Sequence, residues 1–201
     1  MRWIGGGSGA GKSTIARRLA AQYGLHVYAT DDVMWDHAAR STQESAPQLS
    51  EFVAMSADDR WLSRSPKEML DTFHWFRGEA FNLIVDDLLS AISTEPVVIV
   101  EGFRLLPCLV EPLLSRPSQA VWLLPTPRFR RAAFARRGTM WDIPNTTSDP
   151  QRAQQNLLER DEMFTGRLSR EVKARKLPFV DVDNSMSEEW LTHTVATMLH
   201  L

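Results

Sequence analysis

Gly6-Gly7-Ser8-Gly9-Ala10-Gly11-Lys12-Ser13, followed by Thr14, fits the pattern G-x-x-x-x-G-K-[ST] in full. A short apolar piece, Trp3-Ile4, precedes it. A helical pattern follows, with Ile15, Leu19 and Tyr23 at i, i+4, i+8 and a stop at Gly24. Strand, glycine-rich loop and helix N-terminus are the three parts needed to wrap a phosphate chain in backbone N–H groups. Gly6, Gly7, Ser8, Gly9, Ala10, Gly11, Lys12, Ser13 and Thr14 are therefore expected to bind a nucleoside triphosphate, with Mg²⁺ as its companion ion. Lys12 is expected at the β- and γ-phosphates and the Ser13 hydroxyl on Mg²⁺.

The bulk composition narrows the setting. The 201 residues suffice for one domain with a good core, and 43% hydrophobic with 24% charged residues is ordinary for a soluble protein. A net charge of -2 argues against a nucleic acid as the main partner. Cys108 is the only cysteine, which excludes an intrachain disulfide and a Cys-rich metal site. No apolar run approaches the roughly 18 residues of a membrane span. A loop starting at Gly6 leaves no room for a signal peptide, so the expected location is cytoplasmic.

Further along, Leu25 to Ala29 reads as a second strand ending at Thr30-Asp31-Asp32. Val33 to Arg64 is weakly patterned but rich in aromatics. Ser65-Pro66-Lys67-Glu68 is a capping box that opens a long helix, with an apolar stripe of Leu70, Phe73, Phe81, Ile84, Leu88 and Ile92. Val97 to Val100, closed by Glu101, is uniformly apolar and β-branched, as a strand buried on both faces must be. Pro107 to Ser115 reads as a short helix, Ala120 to Leu124 as a fourth strand and Phe179 to Val182 as a fifth. Between the last two lie an arginine-rich helix capped by Thr126 and a long helix from Asp149-Pro150 to about Lys176. Ser185 and Glu188 form a second capping box, ahead of the terminal helix. Strands alternating with helices, without hairpin signals, give a three-layer α/β/α P-loop NTPase fold on a five-stranded parallel sheet. One domain is expected, with a helical insertion over about residues 33–92 and an arginine-rich lid over about 128–150.

A phosphate loop alone does not separate a kinase from a motor or a GTPase. No N-K-x-D motif is present, which argues against a GTPase, and the chain is short for a ring-forming AAA module. In the order of its elements, and in Glu101-Gly102-Phe103-Arg104 after the third strand, the sequence resembles the adenylate kinase-like small kinases. That group includes nucleoside monophosphate, shikimate and gluconate kinases. Glu replaces Asp in that segment, and the proline the family carries there is missing.

The resemblance implies transfer of the γ-phosphate of ATP to a hydroxyl of a small-molecule acceptor. A nucleoside monophosphate acceptor is the runner-up, and an ATP-binding regulatory module or simple ATPase the further alternative. Asp31 and Asp32 stand at the ligand end of a strand, where one can serve the Mg²⁺ shell and the other orient the attacking hydroxyl. Asp31 is assigned to the metal with Ser13 and Glu101, and Asp32 to the hydroxyl. Arg77 and Arg104 are expected to hold an anionic part of the acceptor. Lys12 and at least one of Arg131, Arg136, Arg137 and Arg160 are expected to supply positive charge to the moving phosphoryl group, with Arg136 and Arg160 foremost. Trp35, Trp61, His74 and Trp75 are expected around an acceptor pocket or in the core. A monomer or homodimer is expected.

Overall fold

The computed structural model describes residues 1–91, 98–137 and 142–201; the side chains of Ala91 and Arg137 lie outside that description. Five parallel strands form one sheet in the order β2-β3-β1-β4-β5, with β1 Arg2–Gly6, β2 His26–Ala29, β3 Val98–Glu101, β4 Ala120–Pro125 and β5 Phe179–Val182. The phosphate loop thus leaves the central strand. The expected fold class is borne out, and β1 is short, at five residues.

The alternation of side chains along the strands builds two cores. Trp3, Val98, Val100, Trp122 and Leu124 point to one face and pack under α7 (Phe81–Ala91), α8 (Pro107–Val110) and α10 (Pro150–Ala174). Ile4, Ile99, Val121, Leu123 and Val182 point to the other face, beneath α1 (Lys12–Tyr23) and α11 (Glu188–Leu199). Trp122 is fully buried, and its indole N–H donates to the Leu105 carbonyl at 2.9 Å, so its large ring is buried without orphaning its polar atom. At Gly6, with φ +132°, a Cβ would stand 2.0 Å from the Leu123 carbonyl oxygen. Only glycine lets the loop leave the sheet there.

Val33 to Arg64 forms three short helices: α2 Met34–Arg40, α3 Pro47–Ala54 and α4 Ala57–Trp61. The capping box at Ser65 is present, with Glu68 N–H donating to Ser65 Oγ at 3.2 Å and Ser65 N–H to Glu68 Oε2 at 2.8 Å. The single long helix expected after it is not. The segment breaks into α5 (Pro66–Thr72), α6 (His74–Arg77) and α7: Phe73 is extended (ψ 109°) between the first two, and Gly78 (φ +84°) and Ala80 (φ +57°) are left-handed between the last two. A Cβ on Gly78 would meet Leu109 at 2.6 Å, so the break is packed against α8. Ile92 of the expected stripe lies outside the described residues.

Two more corrections are local. The helix expected over Pro107–Ser115 is α8 followed by one 3₁₀ turn, Glu111–Leu113. The terminal helix α11 is capped by Ser187, whose Oγ accepts from Trp190 N–H at 3.0 Å, while Ser185 bonds to Asp183 instead. Of the expected lid, α9 (Pro127–Arg137) and a 3₁₀ turn over Ile143–Thr146 are described.

Candidate active site

The phosphate loop and helix α1 are arranged to receive an anion. Gly11 caps α1 in the left-handed region, with no side-chain cap and no acid in the first turn. The first N–H groups of a helix need a partner, and the dipole there favours negative charge. Lys12 is buried and donates from Nζ to the Gly7 carbonyl at 3.0 Å, which keeps its charge inside the loop.

Behind Lys12 stands Glu101, at the end of β3 and 2% exposed. Burial pushes its carboxyl above the usual range, against the pull of the Lys12 charge and a hydrogen bond with the Ser13 side chain, and with a further upward push from Asp31. Its Oε2 has no hydrogen-bond partner among the described residues. Mg²⁺ takes oxygen ligands, keeps several waters and relies on one or two carboxylates plus phosphates. The Ser13 hydroxyl and the unpaired Glu101 oxygen are donors of that kind, so these residues fit the ion; Asp31, assigned to the metal from the sequence, lines the cavity beside them.

One cavity of about 650 Å³ runs from the loop, Ser8 to Thr14, past Asp31 into a chamber walled by Phe52, Trp61, Phe73, His74, Trp75 and Phe76. Trp35 stands at its rim, 83% exposed, so all four aromatic residues expected near an acceptor pocket line it. The insertion contributes most of the walls. The far side comes from Phe134, Ile143, Leu157, Arg160 and Asp161.

The individual assignments divide. Asp31 and Asp32 are both exposed, but Asp31 lines this cavity whereas Asp32, expected to orient the hydroxyl, does not. Arg104 is 2% exposed. It stacks on Trp75 with its guanidinium carbon 4.0 Å from the ring, and donates to the carbonyls of Thr30 (3.4 Å) and Ala80 (3.2 Å). Burial lowers its pKa to about 10, against the upward pull of Tyr28, Asp31 and Asp87. It backs the chamber wall and does not face the cavity. Arg77 and Arg136 are exposed and outside the lining, so neither stands where the sequence reading put it. Arg160 does line the cavity, 7% exposed, with Nε and Nη2 both donating to Asp161 Oδ1 at 2.9 and 2.7 Å.

The arginine that touches the phosphate loop is one the sequence reading passed over. Arg130, 1% exposed on α9, donates from Nε to the Ser8 carbonyl at 3.3 Å and from Nη2 to Thr165 Oγ1. Its spacing to Phe134, i to i+4 on α9, puts both on the face toward the site; that was the available signal. Asp87 was also missed. It accepts from the Tyr28 hydroxyl (2.6 Å) and Arg40 Nη2 (2.8 Å) and lies 2.8 Å from His37 Nε2, fixing α2 and β2 to α7.

Residues 5–103, from β1 to just past β3, match a family model described as an AAA domain; the match bears on this nucleotide-binding part alone. An adenylate kinase from Deinococcus radiodurans is 29% identical over 131 residues, 58% of this chain and 64% of that protein, so just under two thirds of that relative's length is matched. The deoxyadenosine kinase of M. mycoides, solved with dATP, superposes with a TM-score of 0.51 at 13% identity over the whole of both chains. An uncharacterized protein from Eubacterium ventriosum does so with the same TM-score and identity, over 98% of this chain and 96% of that one. The chain is a P-loop NTPase-fold protein. The resemblance of this P-loop protein to the adenylate kinase-like group is borne out.

Proposed function

We propose that the chain is an ATP- and Mg²⁺-dependent phosphotransferase that moves the γ-phosphoryl group to a hydroxyl of a small acceptor. The observation carrying this is the single cavity that joins the phosphate loop to the aromatic chamber, with Asp31 between them. A mere ATPase needs no second chamber. The names of the relatives, adenylate kinase and deoxyadenosine kinase, point the same way.

In this reading the backbone N–H groups of Gly9 to Ser13 cradle the β- and γ-phosphates and Lys12 follows the moving charge. Ser13 and Glu101 hold the metal side, where Mg²⁺ supplies charge neutralisation between the phosphates. Asp31, the member of the acidic pair at the cavity, takes the role first given to Asp32: it orients the acceptor hydroxyl and accepts its proton. Arg130 holds Ser8 and so keeps the loop in shape. Phe134 and Ile143 help exclude water.

A hydroxyl acceptor without its own phosphate is preferred to a nucleoside monophosphate. Arg104 is engaged in packing and Arg77 faces solvent, so neither of the arginines expected to hold a monophosphate is available at the cavity. The test is ADP release with Mg-ATP against a panel of nucleosides, nucleoside monophosphates, sugars and hydroxy acids. Stimulation by a hydroxyl acceptor, with phosphate appearing on it, is expected. Hydrolysis unaffected by every acceptor sinks the proposal.

A further inference from the structure

The polar side chains lining the cavity away from the phosphate loop are already engaged within the protein. Arg60 donates from Nε to the Phe52 carbonyl at 2.8 Å and from Nη2 to the Val53 carbonyl at 2.6 Å. Arg160 and Asp161 bond to each other, and Asp142 Oδ1 accepts from Asn145 Nδ2 at 3.2 Å. The Thr146 hydroxyl donates to the Ile143 carbonyl at 2.7 Å. Arg160 Nη1 and His74 Nδ1 lack partners among the described residues, but both atoms are buried and present no surface to a ligand. Burial lowers the His74 pKa to about 3, so its ring is neutral at neutral pH.

The rest of the lining is mostly carbon, and its apolar character runs out to the opening. Trp35, Val53 and Ile143 line the cavity although they are 83%, 55% and 38% exposed. They are three of the seven large apolar side chains exposed among the described residues, so exposed carbon is concentrated at this site. Exposed apolar clusters of this kind mark binding surfaces.

We propose, on the reading of this cavity as an acceptor site, that the acceptor is an uncharged alcohol with an apolar body. Its hydroxyl meets Asp31, its carbon fills the chamber, and its far end lies against Trp35 and Val53. In the transfer the acceptor oxygen bonds to the γ-phosphorus, the bond from that phosphorus to the β–γ bridging oxygen breaks, the hydroxyl proton passes to Asp31 and ADP leaves.

A sugar, polyol or hydroxy acid would give up water at several groups without finding partners. Each extra hydroxyl then costs about tenfold in affinity, and a carboxylate more. An apolar body gains instead, about threefold to fourfold for each buried methylene.

The wild-type chain is titrated calorimetrically with phenylmethanol, phenylethanol, phenylpropanol and phenylbutanol, and with glucose, gluconate and thymidine. Affinity is expected to rise about threefold with each methylene, and phenylbutanol to bind about tenfold or more tighter than the three polar compounds. Trp35→Ser, at an exposed position, is expected to keep the wild-type melting temperature and to weaken phenylbutanol about threefold or more. Val53→Ser repeats that arm should the first variant not fold. A flat series, equal or tighter binding of a polar compound, or phenylbutanol affinity unmoved in the folded variant overturns the proposal. Transfer from labelled Mg-ATP separates this proposal from the kinase reading. Phenylbutanol bound but never phosphorylated would sink the kinase reading and uphold the apolar ligand. Phosphate passed preferentially to glucose, gluconate or thymidine would do the reverse.

Discussion

Asp58 on α4 accepts two hydrogen bonds from Ser148, from its N–H at 2.7 Å and its hydroxyl at 2.6 Å. The two residues belong to the insertion and to the segment before α10, so the two excursions that flank the cavity are tied together on its outer side. These bonds hold the Asp58 carboxyl below the ordinary carboxylate range.

Asp58→Ala removes that tie without touching the cavity lining. The expected outcome is a several-fold rise in KM for the acceptor, with ATP affinity near wild type, since the insertion and lid then hold the acceptor less well. Steady-state kinetics with each substrate varied in turn is the check, and an unchanged acceptor KM would show the tie to be incidental.

Arg130→Met should weaken nucleotide binding. It deletes the donor to Ser8 and the contact with Thr165, and hydrogen bonds from charged groups are worth about 1.5–3 kcal/mol each. ATP affinity measured by calorimetry should fall by about tenfold or more, with a lowered melting temperature. Arg136→Met, at an exposed position on the same helix, should change neither.

The acidic pair should separate cleanly. Asp31→Asn is expected to lower kcat by about a hundredfold or more, in the range of a lost general base. Asp32→Asn, outside the cavity, should stay within about twofold of wild type. Equal losses in the two variants would mean that the β2–α2 turn rearranges when substrates bind.

Acid sensitivity follows from His74. Its folded pKa, about 3, lies below the ordinary value near 6.5, so the unfolded chain binds the extra proton between those limits. The stability that burial of the neutral ring permits is fully present above about pH 6.5 and is lost as pH falls toward 3. The slope approaches about 1.4 kcal/mol per pH unit. His74→Phe should flatten the fall in denaturation midpoint between pH 6.5 and 4, although His37, whose pKa is also lowered by burial, retains part of it.

What could be read in the chain was what is local. Gly6 to Ser13 implies its loop because each residue type serves a backbone conformation or a contact with phosphate. Val98 to Val100 implies an interior strand because all its side chains are apolar. The break at Gly78 was visible as a glycine, but its meaning depends on Leu109, thirty-one residues on in the sequence. The choice among five arginines of α9 depends on which turn of the helix meets Ser8, and composition cannot supply that. Asp31 and Asp32 are chemically alike, and only the direction of the turn after β2 separates them. Arg160 was recognisable as important, but its ring neighbours come from α4, from α6 and from Phe73 between α5 and α6, and its bond to Asp161 comes from the next residue along.

The position of β1 has a consequence for how the protein is made. Arg2–Gly6 leaves the ribosome before β3 and β4, yet it lies between them, so its two hydrogen-bonding neighbours end at residues 101 and 125. At ordinary synthesis rates some 120 residues take about 6 to 24 s. During that time the glycine-rich segment has no sheet to stand on. Nucleotide therefore cannot chaperone folding before β4 is made, and a segment synthesised ahead of both its sheet neighbours becomes competent only after them.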